Sequence, residues 1–192
     1  MKKTQQYYTP EEYFHMLEES EVKLEYLDGY IEAMAGGASN HNHNITAGNI
    51  RLALGNALWD SDCVVYDNDQ AVRIEKYNCY VFPDASVVCG KREFEDEKQL
   101  RLTNPFLIIE VLSESTEAYD RGEKFSFYRA LPSFREYVLV HSTKIWVESY
   151  YREESNLWRI STISNLDESL HLRSLNLEIP LRQLYAKTED LF

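Results

Sequence analysis

The chain has 192 residues, a formal net charge of −12 and an apolar fraction of 44%, which fits one globular domain over residues 1–192. No apolar run is long enough to cross a bilayer, and the first residues lack the apolar stretch of a secretory signal. The acidic balance argues against a surface that coats nucleic acid, although an enzyme could still touch nucleic acid through a local patch.

The three cysteines, Cys63, Cys79 and Cys89, are odd in number and lack CxxC spacing. They are typical of reduced thiols in or near strands. We therefore expect a cytoplasmic protein without disulfides.

A helix is predicted first. Thr9 is a good N-cap, Pro10 suits the first helical position, and Glu12 stands where a capping box needs it. Residues 23–34 then alternate around an Asp-Gly pair, which predicts a hairpin. Apolar residues recur at helical spacing over residues 40–59 and predict a long amphipathic helix.

The middle of the chain is predicted to be mostly strand, at residues 63–66, 71–74, 80–82, 85–89 and 106–111. Residues 91–101 are highly charged and indicate an exposed loop. The run 106–111 is almost continuously apolar, as in a central strand covered on both faces.

A second helix is predicted over residues 116–130, where Pro132 stops it. A hairpin over 136–151, two weaker strands near 158–163 and 170–172, and a short helix from about residue 181 follow. Strands interleaved with two long helices indicate an α/β or α+β fold with a mixed sheet.

Two carboxylates stand out. Asp84 follows a proline at a strand edge, and Glu110 ends the most apolar strand, where an acid is costly to desolvate. If the strands are neighbours, both acids reach one point and suit Mg²⁺ or Mn²⁺, with the carbonyl of Val111 as a further ligand. The alternative is that Asp84 closes an Asx-turn and Glu110 pairs with Lys124 or an arginine.

Other candidates are ambiguous from sequence. Lys124 and Asp120 have the spacing of a surface ion pair, but the amine could instead face a metal-bound water or a phosphate. Glu25 alternates outward in its hairpin, as residues that face water do. His41 and His43 are two residues apart, which argues against a zinc clamp, although one could serve as a base. No GxSxG or P-loop motif is present.

Several segments, in order and spacing over most of the chain, resemble the Uma-type family of restriction endonucleases. They are residues 24–37, 42–44 with Asn49, 80–84, 104–105, 108–113, 115–125 and 132–137. This family looks like a branch of the PD-(D/E)XK nuclease superfamily. The resemblance implies a mixed sheet flanked by helices, preceded here by the N-terminal helix and hairpin.

The resemblance also implies roles for individual residues. Asp84 would be the first acid of the motif, Glu110 the second, and Glu25 an additional acid near the metal. His43 keeps the family spacing, although His41 duplicates part of the pattern.

One position departs from the superfamily pattern. A lysine is expected two residues after the second acid, where this chain has Leu112. Either the site is inactive or Lys124 replaces that lysine, with Asp120 orienting it.

These observations together predict a Mg²⁺- or Mn²⁺-dependent endonuclease that hydrolyses phosphodiester bonds, with DNA as the expected nucleic-acid partner and a homodimer as a plausible assembly. Two alternatives stay open. The chain could be a nuclease fold retained as a binding or regulatory module, or a structural subunit whose acids only form ion pairs. The residues do not decide between DNA and RNA.

Overall fold

Two mixed sheets and a small hairpin form the framework of the chain. The structure is a computed structural model that describes residues 6–34 and 41–191. Its strands are β1 (Leu24–Leu27), β2 (Tyr30–Ala33), β3 (Cys63–Asp67), β4 (Ala71–Ile74), β5 (Cys79–Val81), β6 (Ala85–Cys89), β7 (Arg101–Leu102), β8 (Leu107–Leu112), β9 (Glu136–His141), β10 (Val147–Glu154), β11 (Leu157–Ile163), β12 (Ser169–Leu172) and β13 (Leu177–Pro180).

The described residues form fewer helices than strands. The helices are α1 (Pro10–Glu19), α2 (His41–Ala57), α3 (Glu117–Tyr119), α4 (Phe125–Tyr128) and α5 (Leu181–Leu184), with a 3₁₀ turn at Glu75–Tyr77 and a π-helical turn at Asp120–Lys124. Among the described residues, none of these helices combines the length and apolar character that crossing a bilayer requires. The predicted mixed fold with an N-terminal helix and hairpin is confirmed.

The larger sheet has the strand order β11-β10-β9-β8-β6-β3, in which β8 and β9 run parallel. The second sheet has the order β2-β1-β5-β4-β7. Strand β8 is buried on both faces, as its apolar run predicts. Ile109 packs against Leu54 of α2 on one face, while Ile108 contributes with Tyr128 and Val81 to the core between the two sheets.

Local signals in the N-terminal part produce the predicted elements. The hydroxyl of Thr9 accepts a hydrogen bond from the backbone N–H of Glu12, whose carboxylate accepts one from the N–H of Thr9 in return. Asp28 and Gly29 both have positive φ, at 48° and 94°. This conformation matches the tight turn that the Asp-Gly pair predicts.

Several elements differ from the sequence prediction, among them the two-residue strand β7, which begins in the predicted exposed loop and pairs with β4. The helix predicted over residues 116–130 is interrupted by the π-helical turn at Asp120–Lys124. Strand β13 was not expected. It is only four residues long and ends in proline, and it is stabilised by pairing with β12.

The expectation of three reduced thiols is wrong for two cysteines. Cys63 and Cys89 form a disulfide, because the antiparallel register of β3 and β6 places them directly opposite each other. Cys79 is a buried free thiol, and burial raises its pKa to about 11. The argument from reduced thiols to a cytoplasmic location therefore loses its basis.

A buried carboxylate joins the larger sheet to the β12–β13 hairpin. Glu136 of β9 is fully buried and accepts hydrogen bonds from the hydroxyl of Ser149, from the backbone N–H of Arg173, and from both the N–H and the hydroxyl of Ser174. These neutral donors satisfy the charge that burial would otherwise penalise. The connection between β12 and β13 is thus held to the sheet by one side chain.

We expect Glu136→Ala to lower the free energy of unfolding by about 2 kcal/mol, because several donors lose their acceptor at once. Urea unfolding followed by circular dichroism measures this change. Glu178→Ala is the matched control, because Glu178 lies exposed on β13 and should change stability by less than about 0.5 kcal/mol. Equal effects of the two substitutions would contradict the assigned role of Glu136.

Candidate active site

A cavity of about 460 Å³ opens beside the end of β8. Among the described residues, its lining includes six acids, two lysines, one histidine and one tyrosine: Glu21, Glu25, Glu32, Asp84, Glu110, Asp120, Lys23, Lys124, His43 and Tyr119. All five residues singled out from the sequence as catalytic candidates therefore line one cavity.

The two acids of the predicted motif meet because β6 stops pairing with β8 at the Ala85–Ile109 position. Beyond that point the backbone N–H of Val111 donates to Oδ2 of Asp84 at 2.8 Å. The backbone N–H of Asp84 donates in turn to Oε2 of Glu110 at 3.2 Å. Asp84 thus bonds across the sheet to β8, and the local Asx-turn considered from sequence is not what fixes it.

Lys124 brings its amine to the same point from the π-helical turn. Its Nζ lies 2.9 Å from Oε1 of Glu110, 3.5 Å from Oε1 of Glu25 and 3.6 Å from Oδ1 of Asp120. The Lys124 side chain is only 4% exposed, so the alternative of a solvated surface ion pair is wrong. Leu112, which stands at the usual lysine position, is fully buried in the apolar core.

Glu25 does not face water as its alternation in the hairpin suggested. It is 4% exposed, since the helical segment 117–128 covers that face of β1. Its Oε1 accepts from the N–H of Phe82 at 3.2 Å, and its Oε2 accepts from the hydroxyl of Tyr119 at 2.9 Å. Glu25 therefore connects the hairpin, the chain just before Asp84, and the helical segment.

The structure places His43, and not His41, beside the acids. Nε2 of His43 lies 3.5 Å from Oδ2 of Asp84, whereas His41 is 66% exposed and faces Glu189. The neighbouring Asn49 donates to the carbonyls of residues 184 and 186 and holds the C-terminal segment against α2. Asn49, one of the residues that carry the family resemblance, therefore has a structural role.

Two tyrosines at the site were not found from sequence. The hydroxyl of Tyr128 donates to Oε1 of Glu110 at 3.0 Å, and the hydroxyl of Tyr119 donates to Glu25. Tyr128 follows Lys124 by four residues, a spacing that places both on one helix face. The four-residue spacing from Lys124 is the sequence feature that could have identified Tyr128 as part of the site.

Their surroundings shift the pKa values of Asp84 and Glu110 in opposite directions. Burial alone would raise the pKa of Asp84, but the hydrogen bond and charge of His43, with the N–H of Val111, hold it below its usual value. Burial would lower the pKa of His43, and its interactions with Asp84 raise it instead.

Around Lys124 the charges do not balance. Burial raises the pKa of Glu110 well above its usual value despite the ammonium of Lys124 beside it. Burial would lower the pKa of Lys124, but the carboxylates of Glu110 and Glu25 raise it well above its usual value. The amine is thus a stable cation. With Asp84 and Asp120, four carboxyl groups surround one lysine and one histidine.

Comparison with known proteins establishes the family. The model of the Uma2 family, described as "Putative restriction endonuclease", matches residues 10–182. The chain belongs to the Uma2 family. The Uma2 chain is 36% identical over 178 residues to "Uncharacterized protein slr1290" from Synechocystis sp., covering 92% of this chain and 90% of that protein. It is 32% identical over 155 residues to "Uncharacterized protein sll1609" from the same organism, covering 81% and 86%.

A solved structure shares the fold of the Uma2 chain. It is described as a "putative nuclease belonging to DUF820 from Anabaena variabilis" and matches with a TM-score of 0.73 at 15% identity, covering 92% of this chain and 96% of that one. The resemblance noted from sequence and the nuclease-like α+β fold are both confirmed.

The donor set of the Uma2 chain fits a hard divalent cation. Within the described residues, no group of three or more His, Cys, Asp and Glu side chains forms a ready-made metal site. Mg²⁺ commonly takes only one or two protein carboxylates and completes its octahedral shell with water and substrate oxygens. Asp84 and Glu110 at the cavity wall match this mode of binding, and a zinc site does not suit these ligands.

Proposed function

We propose that the Uma2 chain is a Mg²⁺- or Mn²⁺-dependent endonuclease that hydrolyses phosphodiester bonds in DNA. The observation that carries this proposal is the convergence of Asp84, Glu110 and the Lys124 ammonium on one cavity wall, where carboxyl groups outnumber cations. Burial raises the pKa of Glu110, so a proton is favoured where a carboxyl group would otherwise be charged, and a bound divalent cation would take the place of that proton. The family to which the chain belongs supports the reaction class.

Asp84 and Glu110 would hold the ion, and the carbonyl of Val111, which interacts with the His43 ring, is the candidate for a further ligand. When bound, Mg²⁺ supplies a Lewis acid for the phosphoryl oxygen and lowers the pKa of a water. The N–H groups of Val111 and Asp84 fix the orientation of the two carboxylates before any ligand arrives. This preorganisation would let the two acids share one small ion.

Lys124 acts as a fixed positive charge in this scheme. Its ammonium is anchored by Glu110 and Glu25, so it can orient the attacking water and offset the charge that develops on phosphate. As the water oxygen bonds to phosphorus, the P–O bond to the leaving oxygen breaks; the water gives up a proton to solvent and the leaving oxygen takes one up from solvent. His43 assists from the edge of the site through Asp84. Glu25 keeps the amine in place and adds negative charge next to the ion.

One observation favours a second candidate function. Oε1 of Glu110 already accepts from both Lys124 and Tyr128, as expected of an internal ion-pair network in a non-catalytic binding module. The two functions differ in their need for metal.

Calorimetric titration with Mg²⁺ and Mn²⁺, together with cleavage of labelled DNA, separates the candidates. If the chain is an endonuclease, we expect it to bind metal and to cleave DNA until EDTA is added. If the chain is a binding module, we expect neither metal binding nor cleavage, even at millimolar metal.

The Tyr128 hydroxyl offers a finer test. We expect Tyr128→Phe to weaken Mn²⁺ binding by about tenfold, because a group that orients a metal ligand is lost. Tyr150→Phe is the matched control, since its hydroxyl donates to Glu148, which does not line the cavity. Calorimetry measures both affinities. If Tyr128→Phe binds Mn²⁺ as tightly as the wild type, the Tyr128 hydroxyl does not help to orient Glu110 for the metal.

A further inference from the structure

The candidate site is recessed. The side chains of Glu25, Glu110 and Lys124 are only 3–6% exposed, and that of Asp84 is 13% exposed. The cavity above them, at about 460 Å³, has the size of a pocket for a small ligand. A reacting phosphate must therefore enter the cavity to reach these groups.

The cavity wall is assembled from separate parts of the chain. The segment before β1 contributes Val22, the end of the β1–β2 hairpin contributes Met34, and the start of α2 contributes Asn44. The turn at Asn68 and the segment after β8 complete it. Duplex DNA is a broad rod whose major groove alone is about 12 Å wide. A cavity of about 460 Å³ cannot enclose a segment of intact duplex, whereas it can admit part of one unpaired strand.

The charge of the cavity wall also favours an unpaired strand over a duplex. Among the described residues it presents six acids against two lysines, and the amine of Lys23 is already held by Asp69 and the carbonyl of Asn68. Proteins that hold duplex DNA neutralise about 6–10 phosphates with Lys and Arg. The described residues of the wall include only two lysines, which favours a substrate that presents few phosphates at once.

Neutral donors and acceptors at the wall suit a different mode of recognition. They are the amides of Asn44 and Asn68 and the hydroxyls of Ser113, Ser115 and Thr116. Amides and hydroxyls hydrogen-bond to base edges, which an unpaired strand leaves accessible.

We infer that the site takes single-stranded DNA, or an unpaired strand end, in preference to an intact duplex. This inference rests on the proposed nuclease function and specifies its substrate. A strand of an intact duplex would have to unpair locally to enter the recess, and unpairing costs a few kcal/mol. A duplex should therefore be cut more slowly by at least about tenfold.

The test compares three 5′-labelled substrates of one sequence in Mn²⁺: a 12-mer single strand, its blunt duplex, and the duplex with an unpaired tail. We expect the single strand to be cut at least about tenfold faster than the duplex, and the tailed duplex to be cut in its tail. The slope of log kcat/KM against log KCl should be shallow, at about −1.4, as two phosphate contacts on a single strand would give. Asp84→Asn should abolish every signal.

The outcomes separate the inference from the function beneath it. Equal or faster cleavage of the blunt duplex overturns the substrate inference and leaves the nuclease proposal standing. Hydrolysis of bis(4-nitrophenyl) phosphate without cleavage of any oligonucleotide also overturns the inference while retaining a metal-dependent phosphodiesterase. If none of these substrates is hydrolysed, the proposed function fails and the inference fails with it.

Discussion

Asp84→Asn is expected to abolish metal-dependent cleavage, lowering kcat/KM by about 10³-fold or more. A metal ion supplies several kcal/mol of transition-state stabilisation, and each 1.36 kcal/mol is a factor of ten. Asparagine keeps the size of the side chain and an oxygen that can accept from the N–H of Val111. It loses the negative charge that a divalent cation requires, so binding of Mn²⁺ should fall together with activity.

The control for this experiment is Asp60→Asn, the same chemical change at an exposed position just after α2. It should retain wild-type cleavage and Mn²⁺ affinity. Melting curves establish whether Asp84→Asn is folded, and we expect them to resemble those of the wild type because the backbone contact to β8 survives. A folded Asp84→Asn protein with full activity would remove Asp84 from the mechanism.

The meeting of Asp84 and Glu110 could be predicted because Asp84 directly precedes one strand and Glu110 lies within a recognisably apolar one. An apolar run of six residues indicates a central strand, and an acid within it needs a nearby partner. The sequence therefore localised the site to the end of β8. The hydrogen bond from Val111 to Asp84 depends on where β6 stops pairing, and that register is set by tertiary contacts.

Glu25 shows where periodicity stops being informative. Alternation along a strand separates its two faces, but it does not say which face another element covers. The face of β1 that carries Glu25 is covered by the helical segment 117–128, about ninety residues later in the chain. Only the family resemblance placed Glu25 near the metal.

The burial of Lys124 and the pairing of two cysteines could not be predicted from the sequence, for related reasons. A π-helical turn is not visible in a 3.6-residue pattern, and π-bulges often occur at functional sites. The turn at Asp120–Lys124 buries both side chains that the sequence would allow on a surface. The disulfide between Cys63 and Cys89 depends on strand register, which spacing in the sequence does not specify.

Lys124→Met is expected to lower the free energy of unfolding by about 3–5 kcal/mol, the usual cost of removing one partner from a buried ion pair. Methionine preserves most of the side-chain volume, so the loss comes from Glu25, Glu110 and Asp120, which stay buried without a cation. Urea unfolding in the presence of EDTA measures it. Lys144→Met, at an exposed lysine beside Trp146, should change stability by less than about 0.5 kcal/mol.

The double variant Lys124→Met with Glu25→Gln tests the origin of this loss. Removing one of the uncompensated carboxylates should recover part of the stability, since residues in one network do not act additively. Added Mn²⁺ should raise the melting temperature of Lys124→Met, because an ion that binds only the folded state stabilises it. If Lys124→Met is as stable as the wild type, the surrounding acids are not charged in the folded protein. The charge excess that supports a bound cation would then be absent.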